Sequence, residues 1–123
     1  MAVINGVTNF IQHGVLQSQW SAIPLNSTGT PDQISRFPAH SVQIGGTFSG
    51  GATVTVEGSD DGVTYFTLTG EGPTGGADVP VSTAVAARFD VPNVLPLHVR
   101  PKVTGGDGTT SITVTIISKS FGN

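Results

Sequence analysis

Apolar and polar residues alternate along most of this chain. Between Ser41 and Phe48 the apolar positions are Val42, Ile44 and Phe48, with Gly46 on the same parity. From Ala52 to Glu57, Ala52, Val54 and Val56 alternate with Thr53, Thr55 and Glu57. Between Val63 and Thr69, Phe66 and Leu68 share one parity, and Val63 and Tyr65 share the other. Val85, Ala87, Phe89 and Val91 are opposed by Arg88 and Asp90. Leu97, Val99 and Val103 are opposed by His98, Arg100 and Lys102. Ile112, Val114 and Ile116 are opposed by Thr113 and Thr115. Successive side chains of a strand point to opposite faces, so a period of two predicts a half-buried strand in each of these six segments.

Glycine-rich breaks separate the segments. Ser49-Gly50-Gly51, the stretch Gly58 to Gly62, and Gly105-Gly106-Asp107-Gly108 supply positive φ and self-bonding aspartates. They predict a meander over 41–69 and a hairpin over 97–118. Asn26 to Pro38 and Gly70 to Pro80 have loop composition. Pro101 sits inside a strand on the apolar parity, which predicts an edge strand or a bulge. Val15 to Leu25 fits a further strand, with Leu16, Trp20 and Ala22 on one parity. Val3, Ile4, Val7, Phe10 and Ile11 have rough helical spacing, but Gly6, Gly14 and the β-branched residues weaken a helix. Residues 1–14 are therefore expected to form an extended arm or short helix that docks on a partner. Residues 15–123 are expected to form one all-β domain, a small antiparallel β-sandwich. Both the jelly-roll and the immunoglobulin-like strand orders fit, with the jelly roll preferred.

Composition narrows the function. Only 11% of the 123 residues are charged, against about 25% in typical soluble domains. Sixteen Thr and eleven Ser supply the missing polarity. The net charge is −3, and the five Lys and Arg are scattered, which argues against a nucleic-acid partner. No apolar run approaches the roughly 20 residues of a membrane-spanning helix. Met1 to Leu16 lacks the basic start of a secretory signal. Cysteine is absent, which removes disulfides, thiolate metal sites and cysteine nucleophiles.

Candidate chemistry is sparse. His13, His40 and His98 are dispersed, and no G-x-S-x-G elbow or phosphate loop occurs. Glu57, Asp60, Asp61 and Asp107 lie at or beside turns, where oxygen ligands could hold Ca²⁺, but the EF-hand pattern is missing and turn formation accounts for the three aspartates. Trp20 and Tyr65 could stack on a sugar, although aromatic side chains more often serve as buried area. No catalytic, cofactor or metal site is expected.

Val54-Thr-Val-Glu-Gly-Ser-Asp-Asp-Gly-Val-Thr-Tyr-Phe-Thr-Leu68 and Val99-Arg-Pro-Lys-Val-Thr-Gly-Gly-Asp-Gly-Thr-Thr-Ser-Ile-Thr-Val-Thr-Ile116 resemble small structural proteins of tailed bacteriophages, especially the head decoration (cement) proteins. The first stretch is also similar to discoidin-like binding modules, which place a Trp where Tyr65-Phe66 stands. The phage resemblance, over roughly 40–118, implies a non-enzymatic virion protein of β-sandwich type. It would be assembled in the host cytoplasm and carried on the outer surface of the capsid. There it would bridge subunits of the major capsid protein, as a homo-oligomer (dimer or trimer). On that reading Val3, Ile4, Val7, Phe10, Ile11 and Trp20 supply apolar docking, and Arg88, Asp90, Arg100 and Lys102 polar contacts. A tail component or a receptor- or glycan-binding module is the alternative.

Overall fold

The computed structural model describes residues 3–12, 14–34, 39–72, 78–91 and 95–119. Every regular element among them is a strand, in two facing sheets. In chain order these are β1 (Val3–Ile4), β2 (Val7–Gln12), β3 (Val15–Ile23), β4 (Ser27–Gly29), β5 (Ala39–Thr47), β6 (Thr53–Ser59), β7 (Phe66–Thr67), β8 (Thr69–Glu71), β9 (Asp78–Pro80), β10 (Ser82–Thr83), β11 (Ala87–Val91), β12 (His98–Thr104) and β13 (Ser111–Lys119). The first sheet runs β1-β4-β12-β6-β10, with β7 also on β6. The second runs β2-β3-β13-β5-β11-β8-β9.

Eight of these strands make a jelly roll. The quartets β4-β12-β6-β10 and β3-β13-β5-β11 face each other, and the chain passes between them in the order of two interlocked Greek keys. The alternation seen in the sequence has a direct physical outcome. Val42, Ile44, Phe89, Val91, Val114 and Ile116 of the second sheet are buried against Val54, Val56, Val99 and Val103 of the first. Each such side chain contributes about 1.5–3 kcal/mol when fully withdrawn from water.

Of the expected meander only the β6–β7 pairing around Gly58 to Gly62 forms, and the expected 97–118 hairpin does not. β5 and β6 lie in different sheets, and so do β12 and β13. Their glycine-rich connections are arches that span the sandwich. β5 pairs with β13 and β6 with β12, so the two arches lie side by side. Ser49 Oγ donates to Asp107 Oδ1 at 2.7 Å, and Thr110 Oγ1 donates to the Ser49 carbonyl at 3.1 Å. The β3–β4 connection joins them, with Gly105 N donating to Asn26 Oδ1 at 2.7 Å.

Pro101 is buried in β12, an interior strand, and not at an edge. Its missing donor falls in a gap. The ladder with β4 covers Lys102 and Val103, and pairing on that side resumes at the Asp32–Val99 bridge. No N–H is required between them.

The N-terminal segment is not a free arm. β1 pairs in parallel with β4, and β2 pairs with β3, so residues 3–12 close one side of both sheets. The rough helical spacing is a by-product of two strands joined by Asn5-Gly6.

β3 carries a bulge. Ile112 pairs with Ile23 and Val114 with Trp20, so three steps on β3 match two on β13. Ala22 takes the left-handed conformation, φ 56°. The extra residue resets the parity, turning Ile23 inward behind Trp20 and leaving Ala22 exposed.

Three further apolar positions depart from expectation. Val85 and Leu97 precede their strands and stay exposed. Phe66 is 52% exposed, because β7 is only two residues long and Val63 to Tyr65 form no strand.

Candidate functional site

The second sheet has seven strands, and its outer face is a continuous surface. Its residues are the alternates of buried ones, and the strand registers set them in rows. One row is Val7, Gln19, Thr115, Gln43 and Arg88. The next is Asn9, Gln17, Ile117, Ser41, Asp90 and Glu71. Gln19 Nε2 donates to Thr115 Oγ1 at 3.0 Å, which holds the amide flat across the strands. The rows are uncharged until β11, where Arg88 and Asp90 pair at 3.0 Å. Both of these side chains are more than half exposed, so the pair adds little to stability. Arg88 and Asp90 face outward, as the sequence predicted. The three glutamines were missed as interface candidates, although their parity opposite Leu16, Ser18 and Val42 identifies them.

The outer face of the first sheet is built differently. Arg100 Nε donates to Glu57 Oε1 at 3.2 Å, and its guanidinium lies 3.7 Å from the Tyr65 ring centroid. The group is thus held from two sides within its own chain. Lys102 stands between Thr28 and Thr55 and has no ion-pair partner among the described residues.

Trp20 is no docking residue. It is completely buried, and its indole Nε1 donates to the Thr30 carbonyl at 2.9 Å. Of the other apolar candidates, Val3 and Val7 are exposed and Ile4 packs against the core. Phe10 and Ile11 belong to β2, but their side chains lie outside the described residues.

The remaining chemistry is tied up in structure. His40 is buried in the second sheet, with Nδ1 2.9 Å from Ser118 Oγ, while His98 lies on the first sheet. His13 is outside the described residues. No group of three or more His, Asp or Glu suited to a metal occurs among the described residues. Asp61 accepts from Thr64 N, Val63 N and Ser59 Oγ, at 2.9, 2.8 and 2.8 Å. These donors stabilise the carboxylate, with the Thr64 N–H the largest influence, and hold its pKa at about 2 against an ordinary 3.8. Asp107 is lowered too, first by the Ser49 hydroxyl and then by Thr109. Asp60 accepts a long bond from Leu97 N at 3.4 Å.

A depressed carboxylate stabilises the fold above its unfolded pKa, and that contribution disappears as pH falls through the folded value. Thermal melts should therefore show a loss between pH 3.8 and about 2 that Asp61→Asn blunts. Parallel curves for wild type and Asp61→Asn across that window would contradict this.

An apolar cleft of about 570 Å³ lies between β7, β8 and the end of β11. Phe66, Leu68, Val91, Leu95 and Pro96 line it together with Thr67, Thr69 and Asp60. The sequence did not mark it, because it gathers residues from separate loops.

No family model matches the chain, and no curated protein matches it. Among solved structures it is similar to the SPBc2 prophage-derived protein YomS, with TM-score 0.68 and 20% identity over 91% of this chain and 100% of that one. The two share a fold. A cupin domain from Bordetella pertussis has TM-score 0.46 and 10% identity, over 94% of this chain and 91% of that one. An oxalate oxidase has TM-score 0.43 and 16% identity, over 87% and 43%.

The strand order alone, without these likenesses, identifies the jelly roll. What the described site offers chemically is two uncharged rows of hydroxyls and amides, flanked by Lys119 on β13 and by Arg88 and Asp90 on β11. Hydroxyls and amides lose less on desolvation than charges do, so such a face suits a packed interface.

Proposed function

We propose that this protein is a non-enzymatic structural component of a tailed-phage virion. It decorates the outer surface of the capsid as a homo-oligomer and ties neighbouring major capsid protein subunits together. The observation that carries the proposal is the fold shared with a prophage-derived protein over nearly the whole of both chains. The two stretches similar to decoration proteins, Val54 to Leu68 and Val99 to Ile116, point the same way. So do the two uncharged rows on the outer face of the second sheet, which run across β2, β3, β13 and β5 and can be covered at little desolvation cost, with Lys119 one row beyond them.

In this role the contacts are made by Gln17, Gln19, Gln43, Thr115 and Ser41, with Arg88 and Asp90 at the margin. Lys102 remains available on the other sheet. A glycan-binding role is disfavoured, because Trp20 is buried and Arg100 covers one face of Tyr65. The stoichiometry of the protein in purified particles tests the proposal. Copies in the hundreds support decoration, and a handful would assign it to the tail.

A further inference from the structure

We propose that Asn5 is a site of spontaneous deamidation and that Thr30 governs its rate. Of the five asparagines in the chain, only Asn5 is followed by glycine. Deamidation begins when the peptide nitrogen of the next residue attacks the carbon of the asparagine side-chain amide. A side chain on that next residue obstructs the approach, and glycine has none. Asn5 and Gly6 form the exposed link between β1 and β2. Among the described residues, no hydrogen bond holds the Asn5 side chain. Asn26 is the contrast: its Oδ1 accepts from Gly105 N at 2.7 Å, and the buried Ser27 follows it.

The reaction balances with water as its co-reactant. The Gly6 nitrogen gives up its proton and bonds to Asn5 Cγ. The bond from Cγ to the amide nitrogen breaks, ammonia leaves, and a succinimide ring closes. Water then opens the ring at either carbonyl. One opening leaves aspartate. The other leaves isoaspartate, whose main chain runs through the former side chain. Both products carry a new carboxylate, and isoaspartate also lengthens the backbone between β1 and β2.

Packing accounts for the lability and for its restraint. A Cβ on Gly6 would lie 2.7 Å from Trp20 Nε1, so the buried indole dictates the glycine that leaves Asn5 open to attack. Thr30 acts in the opposite sense. Its backbone N donates to the Ile4 carbonyl at 2.8 Å, and its Oγ1 accepts from Gly6 N at 3.1 Å. Thr30 thus grips the peptide groups on both sides of Asn5. The Gly6 N–H must leave Thr30 before its nitrogen turns to the Asn5 side chain. The inference does not depend on the proposed function, because it is measured on the free protein.

Incubation of the full chain in mildly alkaline buffer tests it, native and unfolded in urea, with the asparagines followed by peptide mass spectrometry. The wild type should convert at Asn5 ahead of Asn9 and Asn26, more slowly native than unfolded. Thr30→Val keeps the backbone bond to Ile4 and removes the hydroxyl. It should speed the native reaction by about two- to tenfold, the leverage of one ordinary hydrogen bond. In urea the two chains should react at the same rate. Asn5 that stays intact in the native protein, conversion led by another asparagine, or a native rate indifferent to Thr30→Val would overturn the proposal. If the variant fails to fold, the wild type decides: slower conversion in the native state supports the restraint, and equal rates in buffer and urea would overturn it.

Discussion

Trp20→Ala should destabilise the protein by about 3–5 kcal/mol, the range for deleting a large buried aromatic. That is a large fraction of the roughly 5–15 kcal/mol by which native domains are stable. Trp20 is the largest of the fully buried side chains, and its surroundings are shaped to it. A Cβ on Gly6 would lie 2.7 Å from the indole nitrogen, and one on Gly29 would lie 2.5 Å from the ring and 2.7 Å from Pro101. Gly6 in the β1–β2 link and Gly29 in β4 thus lie where the ring needs room. The substitution would leave a cavity between β3, β4 and the β1–β2 link, and would strand the Thr30 carbonyl that the indole now satisfies. The β1–β2 link at Gly6 should loosen first, because it rests on this ring. Urea unfolding gives the free energy, and a loss under about 1 kcal/mol would contradict the packing described.

Gly46→Ala should also destabilise strongly, while Gly45→Ala, one residue away, should not. Gly46 has φ +118°, a conformation alanine avoids, and its added Cβ would collide with the backbone carbonyl of Ser111. Strain alone costs about 1–3 kcal/mol, and a collision with paired backbone cannot be relieved by a rotamer change. Gly45 has no atom within 4 Å of its added Cβ and no positive φ. Alanine there reduces the entropy of the unfolded chain and should be neutral or stabilising by up to about 1 kcal/mol. The pair of melting temperatures checks this. Equal shifts for both substitutions would mean that β5 does not cross β13 in the register Gly46–Ile112.

Much of this architecture was legible in the sequence, and the missing parts have definite causes. Alternation reveals which face of a strand is buried, so Val42, Ile44, Val99, Val103 and Ile116 were correctly assigned to the core. Alternation does not reveal the neighbouring strand. A glycine-rich turn closes a hairpin or bridges two sheets equally well, so the 49–51 and 105–108 breaks were misassigned to one sheet. The bulge at Ala22 broke a parity that the sequence had no means to mark, since alanine rarely takes positive φ. Pro101 signalled an edge, but the ladder gap that accommodates it depends on Asp32, far away in sequence.

The surface was harder to anticipate than the core. Apolar side chains near the N-terminus suggested a free arm, whereas their strands complete both sheets and leave only Val3 and Val7 well exposed among those described. Arg100 looked available, yet Glu57 and Tyr65 hold it. The low charge of the composition became informative only when registers aligned Gln17, Gln19, Gln43, Ser41 and Thr115 in two uncharged rows on one face.

The most direct test of the proposed role is the copy number of this 12.5 kDa chain in purified phage particles, measured against the major capsid protein. The account predicts a fixed ratio to the capsid subunit, with hundreds of copies that stay with the capsid fraction when capsid and tail are separated. A handful of copies confined to the tail, or none in the particle, would contradict it.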